Sequence, residues 1–581
     1  MSGGTDSVTV EVDLLVVGSG TGMAAALAGH DLGLDVLIVE KTDKIGGSTA
    51  LSGGAFWIPG NPVIATDGGD DSVDRAREYL SDLVGDMGTA ERWENYLRFG
   101  PATVRLLQRL TRLDFMWSKG YSDYHAERPG GSAVGRTCES KPFDVALLGP
   151  HRDELRSGSM AAPIPMPITG VDYRLINLMA TLPRRGLGRA IRRLSQGLCG
   201  KAFGREYVAG GQALAAGLYD AVLRADIPVW RNTRLVRLVT EGGRVTGAVV
   251  DRNGTEVTVT ATSGVILAAG GFDHASDLRR RHQLGDLPEL SLGSPGNTGD
   301  ALAAGADAGA GLDLLEQAWW FPAVAPLPGG VPKVMLAERS LPGSLMVDHV
   351  GDRFIDEATD YMSFGQEVLA RQHANRPTGQ MWIVFDQRYR NSYVFAGELF
   401  PRARIPQAWF DAGIAYEATT ITGLAEATGL SHLTSTVDRF NEFAEAGIDD
   451  DFRRGDSAYD RYYGDPSNQP NPCLRALTHG PFFAVKVVLS DLGTCGGLRA
   501  DHMARVVADG GDVIDGLYAI GNTAANAFGD RYPGAGATIG QGLVYGYIAA
   551  HHAADRLSMS EPTERESLAP GRVAGRSSSD L

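Results

Sequence analysis

Cysteine and lysine are the scarce residues of this sequence. The four cysteines of the 581 residues, Cys138, Cys199, Cys473 and Cys495, stand far apart and form no CxxC pair. That spacing argues against a disulfide framework or a thiolate metal cluster and suits a reducing compartment, so a cytoplasmic location is expected. The 12 histidines include no HExxH and no HxH, so no metal is expected either. No uninterrupted apolar run reaches the roughly 20 residues that a spanning helix needs. The start lacks the basic stretch and cleavage pattern of a signal peptide, and neither anchor nor export is expected. Lysine supplies seven of the 54 basic residues, which face 70 acidic ones for a net charge of -16. That balance argues against nucleic acid, whose phosphates demand a basic footprint. Apolar residues at 43% and charged ones at 21% belong to an ordinary globular protein, and the length exceeds one core, so two large domains or one elaborated domain are expected.

Glycine, in contrast, is abundant: 75 of 581 residues, about 13% against about 7% in ordinary proteins. The excess begins in a recognisable place. VDLLVV from Val12 is a short run rich in β-branched residues, as for a strand buried on both faces. GSGTGM follows at once, then a helical AAALAGHDLG, then a second strand LDVLIVE closing at Glu40. In such a βαβ unit Gly18 permits the tight turn, and Gly20 lets the backbone approach a pyrophosphate seated on the helix end. Glu40 stands where a carboxylate can bind ribose hydroxyls. The third glycine of the usual fingerprint is missing, because Met23 holds its place and Gly22 comes one residue early. A second glycine-rich loop, KTDKIGGSTALSGGAFWIPGNP, suits a cofactor longer than a nicotinamide dinucleotide, laid across the domain.

Residues 233–271 alternate apolar and polar around turn signals at Gly242, Gly243 and at Asn253, Gly254, which reads as a β-meander that returns to the sheet through Val265 to Ala269. From about 290 to 478 the texture changes to helical stretches and scattered aromatics, and glycine-rich strand and helix patterns then return. The fold class is therefore α/β, a Rossmann-like cofactor domain formed by both chain ends (residues 10–289 and 479–556) with an inserted α+β substrate domain (290–478). Residues 559–581 read as a disordered tail. Eight bases and no acid lie between Arg174 and Arg205, including Arg184, Arg185, Arg189, Arg192 and Arg193 among leucines and isoleucines. Such a segment suits a solvated helix face or peripheral contact with an anionic membrane.

Several long strings together carry a resemblance that runs from about Val12 to His552: GGSTALSGGAFWIPGNP, YSDYHAERPGG, ATDYMSFGQ, VFDQRYRNSYVFAGELFPR, YDRYYGDPSNQPNP, VLSDLGTCGG and RYPGAGATIGQG. The sequence resembles the flavoproteins related to fumarate reductase and, among them, the 3-ketosteroid Δ1-dehydrogenase family. The resemblance implies non-covalent FAD, removal of hydrogens from C1 and C2 of a 3-ketosteroid, and a separate electron acceptor such as a quinone or oxygen. It assigns a general base to Tyr361, a hydrogen-bonding helper to Tyr124, and the two donors to the C3 oxygen to the Tyr532 hydroxyl and the Gly536 backbone N–H. The candidate FAD contacts are Gly18, Ser19, Gly20, Thr21 and Gly22; Glu40 and Lys41; Gly47, Ser48, Thr49, Ser52, Gly53 and Gly54; Ala269, Gly270 and Gly271; Gly521 and Asn522; and Ala537, Thr538 and Ile539. Trp319, Trp320 and Phe321 are the candidate steroid-pocket residues. Ala535 stands where relatives often have a second proline, and Cys495 where many have lysine.

Three rivals remain on these residues. DRFIDE, Asp352 to Glu357, resembles a motif of the wider family and raises a dicarboxylate substrate, which would need convergent Arg and His. Hydrogen removal across C4 and C5 of a saturated 3-ketosteroid would place the base elsewhere. A non-catalytic flavin or lipid binder would have no use for the tyrosines.

Overall fold

Strand Val8–Val17 forms the middle of the larger sheet, flanked in parallel by Thr255–Leu267 on one side and Val36–Val39 on the other. The structure is a computed structural model and describes residues 8–555 apart from 86, 88, 160–163, 285 and 286. The expected tail, 559–581, lies outside the described residues. Leu14, Leu15 and Val16 are wholly buried, the burial on both faces that a parallel sheet covered by helices imposes. The sheet continues in parallel to Val229–Trp230 beyond Val36–Val39, and to Val513–Ala519 beyond Thr255–Leu267. A strand from the C-terminal part of the chain thus completes a sheet begun at the N-terminus, as a Rossmann-like α/β domain built from both ends requires.

Helix Gly22–Asp31 follows the first strand, and helix Ala537–Ala553 packs on it. Glycines set that contact: a Cβ on Gly542 would lie 2.5 Å from Thr21 Oγ1, and one on Gly546 3.2 Å from the Ala25 Cβ. The expected meander is present as Thr233–Glu241, Arg244–Arg252 and Thr255–Leu267. Its two-residue turns, Gly242-Gly243 and Asn253-Gly254, have positive φ at both positions, as hairpins that match the strand twist need.

A second, antiparallel sheet runs Lys333–Val334, Ala318–Val324, Phe482–Thr494, Met381–Asp386, Ser344–Val347, with Ala415–Ala418 also on Phe482–Thr494. The expected boundary at 478 falls before Phe482–Thr494, yet its pairing places that strand in the second sheet. A small three-stranded sheet of Ala55–Trp57, Thr137–Ser140 and Phe115–Trp117 supports the loop that carries Tyr124.

Candidate active site

Tyr124, Tyr361 and Tyr532 come from three remote parts of the chain and meet. Their ring centroids are 5.6 Å apart for Tyr124 and Tyr361, 5.2 Å for Tyr124 and Tyr532, and 5.5 Å for Tyr361 and Tyr532, all edge to face. Each is positioned differently. Tyr361 opens helix Tyr361–His373, whose N-cap Asp360 accepts from the Ser363 N–H. Tyr124 sits in a loop whose Asp123 accepts from Trp57 Nε1 at 2.8 Å and pairs with the buried Arg136. The Tyr124 N–H donates to Pro533 O at 3.2 Å, which ties that loop to the segment bearing Tyr532. Thr137 Oγ1 donates to Ala535 O and steadies the same segment without the second proline.

Gly536 has φ +92°, and a Cβ there would lie 2.3 Å from Ala55 O, so only glycine fits. Its N–H and that of Thr538 face the Tyr532 hydroxyl, and together with Tyr361 they oppose the burial that pushes this phenol up to about 12. Burial holds Tyr361 well above its ordinary value too, and the Tyr124 hydroxyl beside it opposes that. The cluster is therefore a protonated donor, Tyr532, beside a backbone N–H, with a second phenol one ring away. Donors aimed at one point stabilise charge developing on a carbonyl oxygen, and a phenol close by can move a proton α to that carbonyl.

The strand Ala318–Val324 brings Trp319 within 4.7 Å of Tyr532 and Phe321 within 4.9 Å of Tyr361. Trp320 is corrected out of this group. Successive strand residues point to opposite faces, and Trp320 packs instead against Gly365 and below the Arg279 guanidinium. Cys495 is a small buried residue whose thiol burial pushes well up.

The segments that carry the expected FAD contacts pack against one another, as a cradle for the cofactor would require. Gly18, at φ +112°, presses on the Ala268 carbonyl, where a Cβ would lie 2.2 Å from the oxygen. Gly22 takes over the packing role left open by Met23: a Cβ on it would meet Val16 and Ala268 at 3.0 Å. Ser19 Oγ donates to Glu40 Oε2 and accepts from the Gly46 N–H, which joins the first glycine turn to the second glycine-rich loop. Glu40 also accepts from Thr42 N and Oγ1, so its lone pairs are shared with the protein. Gly20 lies against Thr49, and Gly521 against Thr21. Ser48 Oγ accepts from the Ser294 N–H and from Asn297 Nδ2, while Asn297 packs on Gly270. Gly271 lies on Thr494, and Ala269 is half-buried. Gly54 and Ser52 meet the backbone of Gly210 and Gly211, beside an exposed Gly53; Gly47 has open space around it. Asn522 Oδ1 accepts from Thr538 Oγ1 and Trp319 Nε1, which links the cradle to the tyrosines. Ala537 and Ile539 are buried in the first turn of their helix. Lys41 pairs with Asp300 at 2.9 Å and donates to Gly296 O and Thr298 Oγ1, on either side of Asn297. Neither helix Gly22–Asp31 nor helix Ala537–Ala553 has a side-chain cap, and uncapped N-termini offer N–H groups to an anion. The close-packed glycines, uncapped helix ends and hydroxyl-rich loop fit a dinucleotide.

The FAD binding domain family matches residues 13–539. The 3-oxosteroid 1-dehydrogenase of Mycolicibacterium smegmatis is 43% identical over 553 residues, covering 93% of this chain and 96% of the relative. This chain belongs to the FAD-dependent 3-oxosteroid 1-dehydrogenase family. The 3-ketosteroid Δ1-dehydrogenase of Sterolibacterium denitrificans, solved in complex with 1,4-androstadiene-3,17-dione, superposes with a TM-score of 0.88 at 36% identity, over 94% of this chain and 99% of that one. The 4-oxocyclohexanecarboxylate 2-dehydrogenase of Sinomonas cyclohexanicum is 34% identical, with 92% of each chain covered.

Within this family frame, two features had escaped the sequence. Tyr459, 4.7 Å from Tyr124, opens the segment YDRYYGDPSNQPNP, but nothing in that segment separates it from its neighbours. Asn297 joins the cradle from SPGNTG, a plain loop until its contacts are seen. DRFIDE is a buried ion network: Arg353 meets Glu357 at 2.8 Å and Asp449 at 2.7 Å, and Arg454 meets Glu357 at 3.2 Å. Arg353 is therefore spent within the protein.

Proposed function

We propose that the protein dehydrogenates 3-ketosteroids across C1 and C2. The observation that carries this reading is the convergence of Tyr361, Tyr124 and Tyr532 with the Gly536 N–H at one end of the cradle. The steroid C3 oxygen sits between the Tyr532 hydroxyl and the Gly536 N–H, which stabilise the enolate character that makes the C2 hydrogen acidic. Tyr361 takes that proton, and the Tyr124 hydroxyl beside it favours its ionised form. FAD, when bound, takes up the C1 hydrogen with its electron pair. Trp319 and Phe321 supply apolar surface for the ring system, and Gly18, Gly20, Glu40 and the second glycine-rich loop hold the dinucleotide. A quinone or oxygen then collects the electrons.

The test is anaerobic mixing with 4-androstene-3,17-dione. Bleaching of the oxidised flavin spectrum with formation of the 1,4-diene is expected, and no bleaching refutes the reading. A dicarboxylate substrate is disfavoured because Arg353 is committed to Glu357 and Asp449.

The reading includes a membrane face. Helix Pro183–Ala202 turns Gly186, Gly197 and Gly200 inward, where Cβ atoms would clash with neighbouring chain. Arg193 and Arg189 pair with the buried Asp172. Outward it presents Leu187, Ile191 and Leu198, and Phe203 beyond its end is 82% exposed. Arg184, Arg185, Arg192 and Lys201 are exposed around them. An apolar stripe ringed by bases suits the surface of an anionic bilayer, where sparingly soluble steroids reside. Flotation with phosphatidylglycerol vesicles, absent with phosphatidylcholine alone and abolished by Leu187→Asp with Phe203→Asp, is expected; equal flotation of the variant overturns this part.

A further inference from the structure

Beside Tyr124 lies a polar cavity of about 280 Å³ that the chemistry above leaves unused. Tyr124, His125, Asp356, Asp360, Tyr459 and Asp460 contribute to its walls. Three buried atoms of these residues, the Tyr124 hydroxyl, the Tyr459 hydroxyl and Asp360 Oδ2, have no hydrogen-bond partner among the described residues. Buried polar atoms are ordinarily paired, and a roomy polar cavity pairs them through water.

The same residues connect the reacting phenol to the outside. Asp360 immediately precedes Tyr361; its Oδ1 caps the helix and its Oδ2 is left free. His125 Nε2 is 3.9 Å from that free oxygen, and the His125 side chain is 28% exposed whereas that of Asp360 is 2% exposed. His125 therefore stands between the buried wall and solvent. Burial lowers the imidazole pKa; Arg128 and Arg531 add to that, while Asp360 and Glu127 oppose it. A neutral imidazole at ordinary pH can accept a proton and release it at once.

We propose that this cavity is the proton exit: the proton taken from C2 leaves Tyr361 through the Tyr124 hydroxyl and cavity water to His125, which Asp360 orients, and passes from the imidazole to bulk water. Each turnover breaks one C2–H bond, and its proton enters the path at Tyr361. As the Tyr361 proton moves to the Tyr124 oxygen, the original Tyr124 proton moves on through water to His125, and one proton leaves the ring. The electron pair of the C1–H bond goes with FAD, so the path carries protons alone. His125 and Asp360 act through Tyr124 and are positioning and relay groups. The assignment rests on Tyr361 being the base.

The experiment measures wash-out of deuterium from C2 of deuterated 4-androstene-3,17-dione by the holoenzyme, alongside turnover, in His125→Ala and Asp360→Asn. Asn keeps the helix cap. Both rates are expected to fall at least about tenfold, short of the 10²–10⁴ of a direct general base. Imidazole added to His125→Ala should restore them, while the steroid-induced shift of the flavin spectrum stays unchanged. No loss in either variant, or a loss in His125→Ala that imidazole does not repair, overturns the exit. Tyr361→Phe separates the two levels: retained wash-out there defeats the base assignment itself, whereas its loss beside an unimpaired His125→Ala defeats the exit alone.

Discussion

Replacing Tyr532 with Phe removes one oxygen and keeps the ring that packs 4.7 Å from Trp319, 5.2 Å from Tyr124 and 5.5 Å from Tyr361. The pocket keeps its shape, so any change in rate reports the hydroxyl. With its pKa pushed up to about 12, that phenol is a protonated donor throughout the neutral and mildly alkaline range. Loss of one such donor to a developing oxyanion costs about 10²–10³ in kcat, about 2.7–4 kcal/mol. The Gly536 N–H remains, so activity persists at that reduced level. A second effect falls on the steroid-free protein: the Gly536 and Thr538 N–H groups lose the oxygen they face, at about 1–3 kcal/mol where they stay unpaired. The variant is therefore expected to unfold at a lower temperature and to recover part of that loss when steroid fills the gap. Steady-state kinetics with 4-androstene-3,17-dione and a dye acceptor separate the terms, because the donor acts chiefly in the transition state and lowers kcat more than it raises KM. A fully flavin-loaded Tyr532→Phe with kcat within about threefold of the parent, far inside the range for a lost oxyanion donor, refutes the oxyanion role.

Gly18→Ala drives a Cβ to 2.2 Å from the Ala268 carbonyl at φ +112°, so most FAD is expected to be lost on purification, read as the ratio of flavin to protein absorbance; full loading contradicts the cradle. Arg353→Ala takes from buried Asp449 its arginine partner and leaves Glu357 with Arg454 alone, a loss of about 3–5 kcal/mol, and an unchanged Tm contradicts it. Burial holds Tyr79, Tyr96, Tyr124, Tyr361, Tyr389, Tyr459 and Tyr463 well above the ordinary phenol value. The unfolded chain ionises them at about pH 10 while the folded chain keeps their protons, so stability is intact below that pH and falls above it, by up to about 1.4 kcal/mol per unit for each. Thermal unfolding followed from about pH 9 to about pH 11, which brackets that value, should show Tm dropping steeply past pH 10, and a flat profile contradicts the burial.

The local parts of the fold were legible because they depend on neighbours in sequence. Leu14 to Val17 are apolar without alternation because both faces are covered, and Gly242-Gly243 and Asn253-Gly254 are the residues that positive φ at both turn positions demands. Phe482–Thr494 was less legible, since an apolar strand announces its existence but not its partners. The parity of Trp319 and Trp320 could have been had from strand alternation alone, once the segment was read as a strand. Lys41 is a candidate by its place next to Glu40, and only the fold shows that its ammonium pairs with Asp300. Met23 seemed to break the glycine fingerprint, yet the close approach to Val16 and Ala268 belongs to Gly22. Such contacts between distant segments are set by packing and leave no mark on the local sequence.

The contact of Gly542 and Gly546 with Thr21 and Ala25 also orders events in time. Helix Ala537–Ala553 is synthesised long after helix Gly22–Asp31, the partner that it must find. Pairing across so long a stretch of chain is slow, and it leaves the early strands exposed in the meantime. The Ala25 face of helix Gly22–Asp31 therefore waits for the later helix to cover it. A chain cut short before Ala537 would leave that apolar helix face uncovered, so quality control in the cell has a plain signal by which to tell finished molecules from unfinished ones.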